Sequence, residues 1–505
     1  MEHNILLKPS GLKLKVKHGS LLYDVLKEHN IEFPCGGNGI CGNCKVKILK
    51  GEISLTEKHL NLLSKKNLSK EWRLACFSKV ESDLIIELPI NKMSIQSDSS
   101  TVKNFTPEEG YGIAIDLGST TIALQLINMY NGNIVNTSTC INPQSRYGAD
   151  IMSRITFALH NNENTDLLKT IIREAIYKEV IKLIEKIPNN KLKKIVIVGN
   201  SVMHHLFIGL DVSPLSVYPF QSLYNNEFIF TPKDLNWSSI NNECEILFLP
   251  NISNFIGSDI LSGIHATKMQ NSNEYNLLID LGTNGEIVLG NKEKLYCTST
   301  AAGPAFEGIN ITCGMRASSG AIYSVEFNDG NFSIKTIHNK KASGICGSGL
   351  IDCIYCLLKN NKIDYTGKFT NNNNNIFITN NIYISDKDIR EFQLAKSAIS
   401  TGIEILLNEA NIKSEDINKI FLTGGLGNFV NIKNIQSLGL LNNFSSSKIY
   451  KLENTSLYGC KELLFDSNHL QIKNILEKTQ FCSLETNYKF TDLFYSHLYF
   501  PNNIS

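Results

Sequence analysis

The sequence predicts a multidomain chain that combines α+β and α/β classes. A small β-rich unit covers residues 1–92, a linker 93–110, and a two-lobed α/β region follows, divided into 111–205 and 206–505. Three observations carry this. The first unit holds a close-set group of cysteines, Cys35, Cys41 and Cys44, with Cys76 further on. The stretch NKMSIQSDSSTVKNFTPEEG at 91–110 turns abruptly polar and Ser-rich. Beyond it, Asp-Leu-Gly-Ser-Thr at 116–120 recurs as Asp-Leu-Gly-Thr-Asn at 280–284, each time between apolar, strand-like runs.

At 505 residues the chain is too long for one core, and length alone suggests about three or four units. Apolar residues make up 42% and charged residues 19%, ordinary for a globular protein. A formal net charge of +1 offers no basic field, so neither nucleic acid nor a membrane surface is an expected partner. The opening MEHNILLKPSG lacks the organisation of a secretory signal, and no apolar run approaches the ~18 residues of a membrane helix. Thirteen scattered cysteines do not make a disulfide framework, so a reducing cytoplasm is the expected location.

Residues 1–92 read as strand, strand, helix, glycine-rich loop, strand and closing strand. LKLKV at 12–16 alternates, Leu22, Val25 and Leu26 give helical spacing behind Ser20, and LIIEL ends the unit. The cysteines stand as Cys-x5-Cys-x2-Cys-x31-Cys. Three thiolates from one tight loop and a fourth from a strand beside it form the ligand set of a 2Fe–2S cluster. Gly36, Gly37, Gly39 and Gly42 give the loop positive φ angles and free N–H groups for the sulfides. A structural zinc site is the alternative, but zinc favours two Cys-x2-4-Cys pairs, which this spacing fits poorly. Pattern and spacing together resemble the β-grasp ferredoxins of plant and adrenodoxin type, which implies electron transfer. The linker, as a flexible coil, would span about 23–25 Å, and about 60 Å fully extended.

From Tyr111 the pattern is α/β. YGIAIDLGSTTIALQLIN is strand, turn and strand, and Asn131-Gly132 leads into a third strand, IVNTSTCI. Helical spacing covers 149–160 and 165–187 up to Pro188, and KKIVIVGN is a buried strand. YNLLIDLGTNGEIVLGN at 275–291 repeats the opening device. Each tip suits phosphate: Gly118 admits close backbone approach, and Ser119, Thr120 and Thr121 add hydroxyl donors. Gly282, Thr283, Asn284 and Gly285 repeat this, while Asp116 and Asp280 stand where they can hold Mg²⁺ through water. FLTGGLGNFVN at 421–431 is a third element, in which Gly424, Gly425 and Gly427 leave room for a base and ribose.

In this order the three elements resemble the acetate kinase, sugar kinase, heat-shock chaperone and actin superfamily, which implies ATP as ligand. A ferredoxin unit followed by such an ATPase is similar to the reductive activators of corrinoid-dependent proteins. Six stretches carry that resemblance: NPQSRYGADIMSRI (142–155), VGNSVMHHLFIG (198–209), LPNISNFIGSDILSGI (249–264), TAAGPAFEGINITCGMRASSGAI (300–322), ICGSGLID (345–352) and FTDLFYSHLYFP (490–501). It implies ATP-dependent transfer of one low-potential electron from the cluster to Co(II), regenerating Co(I), with Asp116 and Asp280 as catalytic residues. The implied partner is a corrinoid iron–sulfur protein or the corrinoid subunit of a methyltransferase, and an external low-potential donor supplies the electron. Whether the chain forms a homodimer stays open. Two other classes compete: a redox-regulated phosphotransferase, and a nucleotide-binding electron-transfer or sensor protein.

The remaining tempting residues have plainer readings. Cys353 and Cys356 sit on an apolar helical run and read as packing. His204 and His205 follow the GNSVM turn and read as satisfied histidines near a helix start. Glu307, in GPAFEGI, is either a cleft-lining carboxylate or part of a tight turn, and both readings stand.

Overall fold

The computed structural model describes residues 1–8, 11–26, 31, 44–57, 59–60, 63, 69, 71–88, 98–103, 105–148, 150–185, 187–188, 191–218, 220–371, 375–426, 430–441, 443–466 and 468–502. The chain divides into two compact units, residues 1–92 with 143–165, and residues 93–142 with 166–505.

In the first unit, alternating residues of Glu2–Lys8 point Ile5 and Leu7 inward and leave Asn4 and Lys8 in solvent. This strand pairs antiparallel with Lys13–Lys17 and parallel with Leu84–Glu87. Lys45–Lys50 and Trp72–Leu74 complete a five-stranded mixed sheet. The short helix Leu22–Leu26 buries Leu22 and Leu26 in the core formed by Ile5, Leu7, Val46 and Ile86. This is the expected β-grasp arrangement. Residues 143–165, expected in the first lobe, belong to this unit instead. Helical spacing in Ile151–His160 specifies a helix with a capping box at Asp150 and Ser153, but not the neighbour it packs on.

The second unit contains two six-stranded sheets built alike. In the first, the hairpin Tyr111–Leu117 and Thr121–Asn128 continues to Ile134–Ile141 on one side. On the other side Leu192–Gly199 and Glu245–Phe248 pair parallel, and Phe228–Phe230 closes the edge. In the second, Tyr275–Leu281, Gly285–Gly290 and Leu295–Thr300 repeat the antiparallel run, and Ile417–Gly424 and Ile449–Lys451 repeat the parallel pair. The lobe boundary therefore does not fall at 205/206, because Phe228–Phe230 and Glu245–Phe248 complete the first sheet. Strands of three and four residues carry too little periodicity to be assigned to a sheet from sequence.

Helices Ser258–Thr267 and Thr455–Leu463 fill a core shared by the sheets, in which Ala114, Val196, Leu278, Val288, Ile260 and Leu457 are all buried. They cross closely: a Cβ on Gly459 would stand 2.0 Å from the Ser262 carbonyl oxygen.

The flexible-coil reading of the linker fails for residues 98–103 and 105–110. Asp98 is buried and ion-paired to the fully buried Lys461, and Gln125 Nε2 donates to the Asp98 carbonyl at 2.6 Å. Val102 is buried, and the Phe105 ring lies 4.4 Å from that of Phe465. Burial and pairing outweigh the entropy that its Ser-rich composition favours. This segment is a strap fixed to the second unit.

Candidate functional site: a cleft between two Asp-x-Gly hairpins

The first hairpin is closed by its own backbone. Gly118 N donates to Thr121 O at 3.0 Å, and a Cβ at Gly118 would meet that oxygen at 2.6 Å. Asn142 braces the turn: its N donates to Thr120 O at 2.8 Å and its Nδ2 to Gly118 O at 2.9 Å. Asp116 lies opposite Ala123 in the ladder.

In the second hairpin Gly282 N donates to Asn284 O at 3.1 Å, and Asp280 lies opposite Glu286 on one side and beside Thr423 on the other. Thr283 donates its hydroxyl to Glu307, which places that carboxylate against the hairpin tip. Gly424 ends its strand at φ 91°, where a Cβ would stand 2.4 Å from Asp280 Oδ1, so only glycine fits beside this carboxylate. Gly425 faces open space, and Gly427 lies outside the described residues. The structure thus brings Asp116, Asp280, both turns and Gly424 to one place.

Four half-buried carboxylates, Asp116, Asp259, Asp280 and Glu286, lie in one another's field. Burial pushes Asp116 up to about 6, against the hydrogen bond it accepts from Asn454. Burial and then the charge of Asp116 push Asp280 up to about 7. Asp259 rises to about 7 through burial, Asp280 and Asp116, and Glu286 rises well above the usual carboxylate range through burial, Asp280 and Asp259. Like charge raises these groups together, though among the described residues no three of them converge closely enough to ligate one metal ion directly.

Sequence reasoning missed Asn454, Asp259 and Glu286. Asn454 caps the helix Thr455–Leu463 by accepting from Leu457 N at 2.8 Å, and its Nδ2 donates to Asp116 Oδ2 at 2.6 Å. An Asn before Thr-Ser and an apolar run is a readable cap, but its second partner is 338 residues away. Asp259, in the first turn of Ser258–Thr267, had no local signal. Glu286 was within reach of sequence, since a hairpin drawn at Gly282–Asn284 sets it against Asp280.

The other candidates are structural. Asn200 caps the helix Ser201–Ile208, His205 Nδ1 donates to Ser201 O at 2.7 Å, and His204 Nε2 donates to Asn226 O at 3.2 Å. Burial pulls His204 down to about 3 and lowers His205, so both are neutral. Cys353 and Cys356 are buried on Gly347–Lys359, and burial pushes both thiols up.

In the first unit Cys44 and Cys76, 32 residues apart, bring their sulfurs to 3.2 Å in a buried position. That is close enough to share one metal ion, so the pair fits half of a four-thiolate cluster set. Cys35 and Cys41 lie outside the described residues.

Residues 5–81 match the family model of the 2Fe-2S iron-sulfur cluster binding domain, 111–272 that of the RACo middle region, and 274–505 that of the C-terminal domain of RACo, the ASKHA domain. Over 426 residues the chain is 31% identical to the corrinoid activation enzyme RamQ of Eubacterium limosum, spanning 78% of this chain and 71% of RamQ. The chain belongs to the RACo family. It is also 27% identical over 391 residues to the [Co(II) methylated amine-specific corrinoid protein] reductase of Methanosarcina barkeri, 71% of each chain. A solved structure titled reductive activator for corrinoid, iron-sulfur protein superposes with a TM-score of 0.69 at 25% identity, covering 99% of this chain and 98% of that one. The family therefore has the expected two parts, a 2Fe–2S domain and an ASKHA domain. Among the described residues no helix is long and apolar enough to cross a membrane.

Proposed function

We propose that this protein is an ATP-dependent iron–sulfur reductase that returns the cobalt of a corrinoid protein from Co(II) to Co(I). The observation that carries the reading is the cleft: two carboxylates on matched hairpins, Asp116 and Asp280, lie in one another's field in a chain that also holds the Cys44–Cys76 pair. The cluster supplies a one-electron store when bound. Cys35, Cys41, Cys44 and Cys76 hold it, and an external low-potential donor refills it. N–H groups and hydroxyls of Gly118–Thr121 and Gly282–Gly285 would take the phosphates, Asp116 and Asp280 would hold Mg²⁺, and Gly424, Gly425 and Gly427 would seat the adenosine. The partner is a corrinoid iron–sulfur protein or a methyltransferase corrinoid subunit, met in the cytoplasm.

The thermodynamic need for ATP follows from the potentials. Ordinary ferredoxins sit near about −400 mV, and the Co(II)/Co(I) step is uphill from there. For one electron ~59 mV corresponds to ~1.4 kcal/mol, so a lobe closure worth about 5 kcal/mol moves the effective potential by about 200 mV. ATP binding, or its hydrolysis by water to ADP and phosphate, supplies that closure while one electron passes to the partner and Co(II) becomes Co(I).

The test mixes reduced protein, Mg-ATP and a Co(II) corrinoid protein and follows the Co(I) spectrum. Co(I) is expected only with ATP present. Equal Co(I) formation without nucleotide would refute the coupling, and ATP turnover only with an added small-molecule acceptor would favour the phosphotransferase. Cys44→Ser is expected to lose the red-brown cluster absorbance, and Cys353→Ser to keep it.

A further inference from the structure

We infer that Asn454 is a positioning residue for the nucleotide site and that the strap of residues 98–103 and 105–110 sets its register, so that nucleotide turnover answers to the segment joining the cluster domain to the ATPase. The inference rests on the nucleotide reading of the cleft.

Asn454 works in two directions. Its Oδ1 accepts from Leu457 N and fixes the start of the helix Thr455–Leu463. Its Nδ2 donates to Asp116 Oδ2 at 2.6 Å. The helix follows Ile449–Lys451, a strand of the second sheet, yet it packs on Tyr111–Leu117 and Leu192–Gly199 of the first. Asn454 therefore carries the second lobe's backbone to the first lobe's carboxylate.

The strap grips that helix at both ends. At the far end Lys461 is fully buried, ion-paired with Asp98, and donates to Ser100 O at 2.5 Å. Asp98 is itself held by Ser100, whose Oγ donates to Oδ1 at 2.7 Å, and by Gln125 on its carbonyl. At the near end Ser99 N donates to Glu453 Oε2 at 3.3 Å, on the residue before Asn454. Burying two charges is costly, and an apolar pair of similar volume would serve stability at least as well. What the ion pair adds is a fixed register between the strap and the helix. Asn454 can reach Asp116 only in that register, because the amide is already committed to its cap.

The experiment measures steady-state ATP hydrolysis and thermal midpoint in the full chain with its cluster. Asn454→Ser keeps a good cap but loses the reach of the amide donor. It is expected to lower kcat about tenfold to a hundredfold, the range for a lost hydrogen bond to a charged group, with KM for Mg-ATP and the midpoint nearly unchanged. Asp98→Asn, or Asp98→Asn with Lys461→Met should the single variant fail to fold, is expected to lower kcat about threefold to tenfold. Combined with Asn454→Ser, either should add no further loss, since both act through one contact. Asp116→Ala serves as the reference. If Asp116→Ala abolishes turnover while Asn454→Ser leaves kcat intact, Asn454 is only a cap and the inference falls. Additive losses would overturn the strap's role. Unimpaired Asp116→Ala would instead refute the nucleotide reading itself.

Discussion

At the tip of the first hairpin Asp116 receives an amide hydrogen from Asn454 and faces Ala123 across the ladder. At the corresponding place in the second, Asp280 faces Glu286 and has the charge of Asp259 nearby. The backbones match because strand order and turn are dictated by apolar periodicity and a glycine, and both halves carry these. The charges do not match, because they sit at positions that periodicity leaves open. The first hairpin is braced by Asn142, and the amide of Asn454 supports the charged form of Asp116, which suits it to hold geometry. The second gathers three carboxylates, in which the charge of Asp280 raises Asp259 and both raise Glu286.

The most forceful way to break this comparison is to remove each carboxylate. Asp116→Ala and Asp280→Ala are each expected to cut ATP turnover about a hundredfold or more, and the double variant no further, because both serve one unit. A double variant a hundredfold worse than either single would mean independent sites. Next comes Gly424→Ala, which forces a Cβ to 2.4 Å from Asp280 Oδ1 and should weaken Mg-ATP binding about tenfold, more than Gly425→Ala, whose Cβ would meet no protein atom within 4 Å. Isothermal titration distinguishes them.

A pH experiment sharpens the charge difference in metal-free protein. The folded pKa of Asp280, about 7, lies above its ordinary value, so its contribution to stability is complete below about pH 4 and is lost as the pH rises through about 7. Asp280→Asn should therefore stabilise the protein at pH 8, by ~1–2 kcal/mol with solvent screening allowed for, and leave it unchanged at pH 4. Asp116→Asn should gain less, since Asn454 already supports the charged form. Denaturant midpoints at the two pH values decide this. The smallest expected effect is that of Thr283→Val, which frees Glu307 and should change KM for Mg-ATP about twofold to threefold.

How much of this was legible depended on whether the signal was local. Cys44 and Cys76 declared themselves by spacing and glycine content, and the hairpin tips by five residues each. Asn454 could be read as a cap but not as a partner of Asp116, because the strand order that joins them is a tertiary fact. The strap defeated composition outright. Its Ser-rich sequence argues for a coil, and the ion pair that fixes it has its other half 363 residues away. The lobe boundary failed similarly, since Phe228–Phe230 and Glu245–Phe248 are assigned by register alone.

The crossing of Ser258–Thr267 over Thr455–Leu463 has a consequence for timing. Gly459 lies against the Ser262 carbonyl, Ser262 Oγ donates to Ser456 O at 2.7 Å, and Gly263 sits beside Thr455. One of these helices begins next to the cap that reaches Asp116, and the other begins with the acid in the field of Asp280. If the nucleotide reading holds, this contact ties the two halves of the site together, and nucleotide release should follow a single exponential. A methyl group at 459 would stand 2.0 Å from the Ser262 carbonyl oxygen and force the helices apart, so Gly459→Ala should disturb Asn454 and Asp259 together.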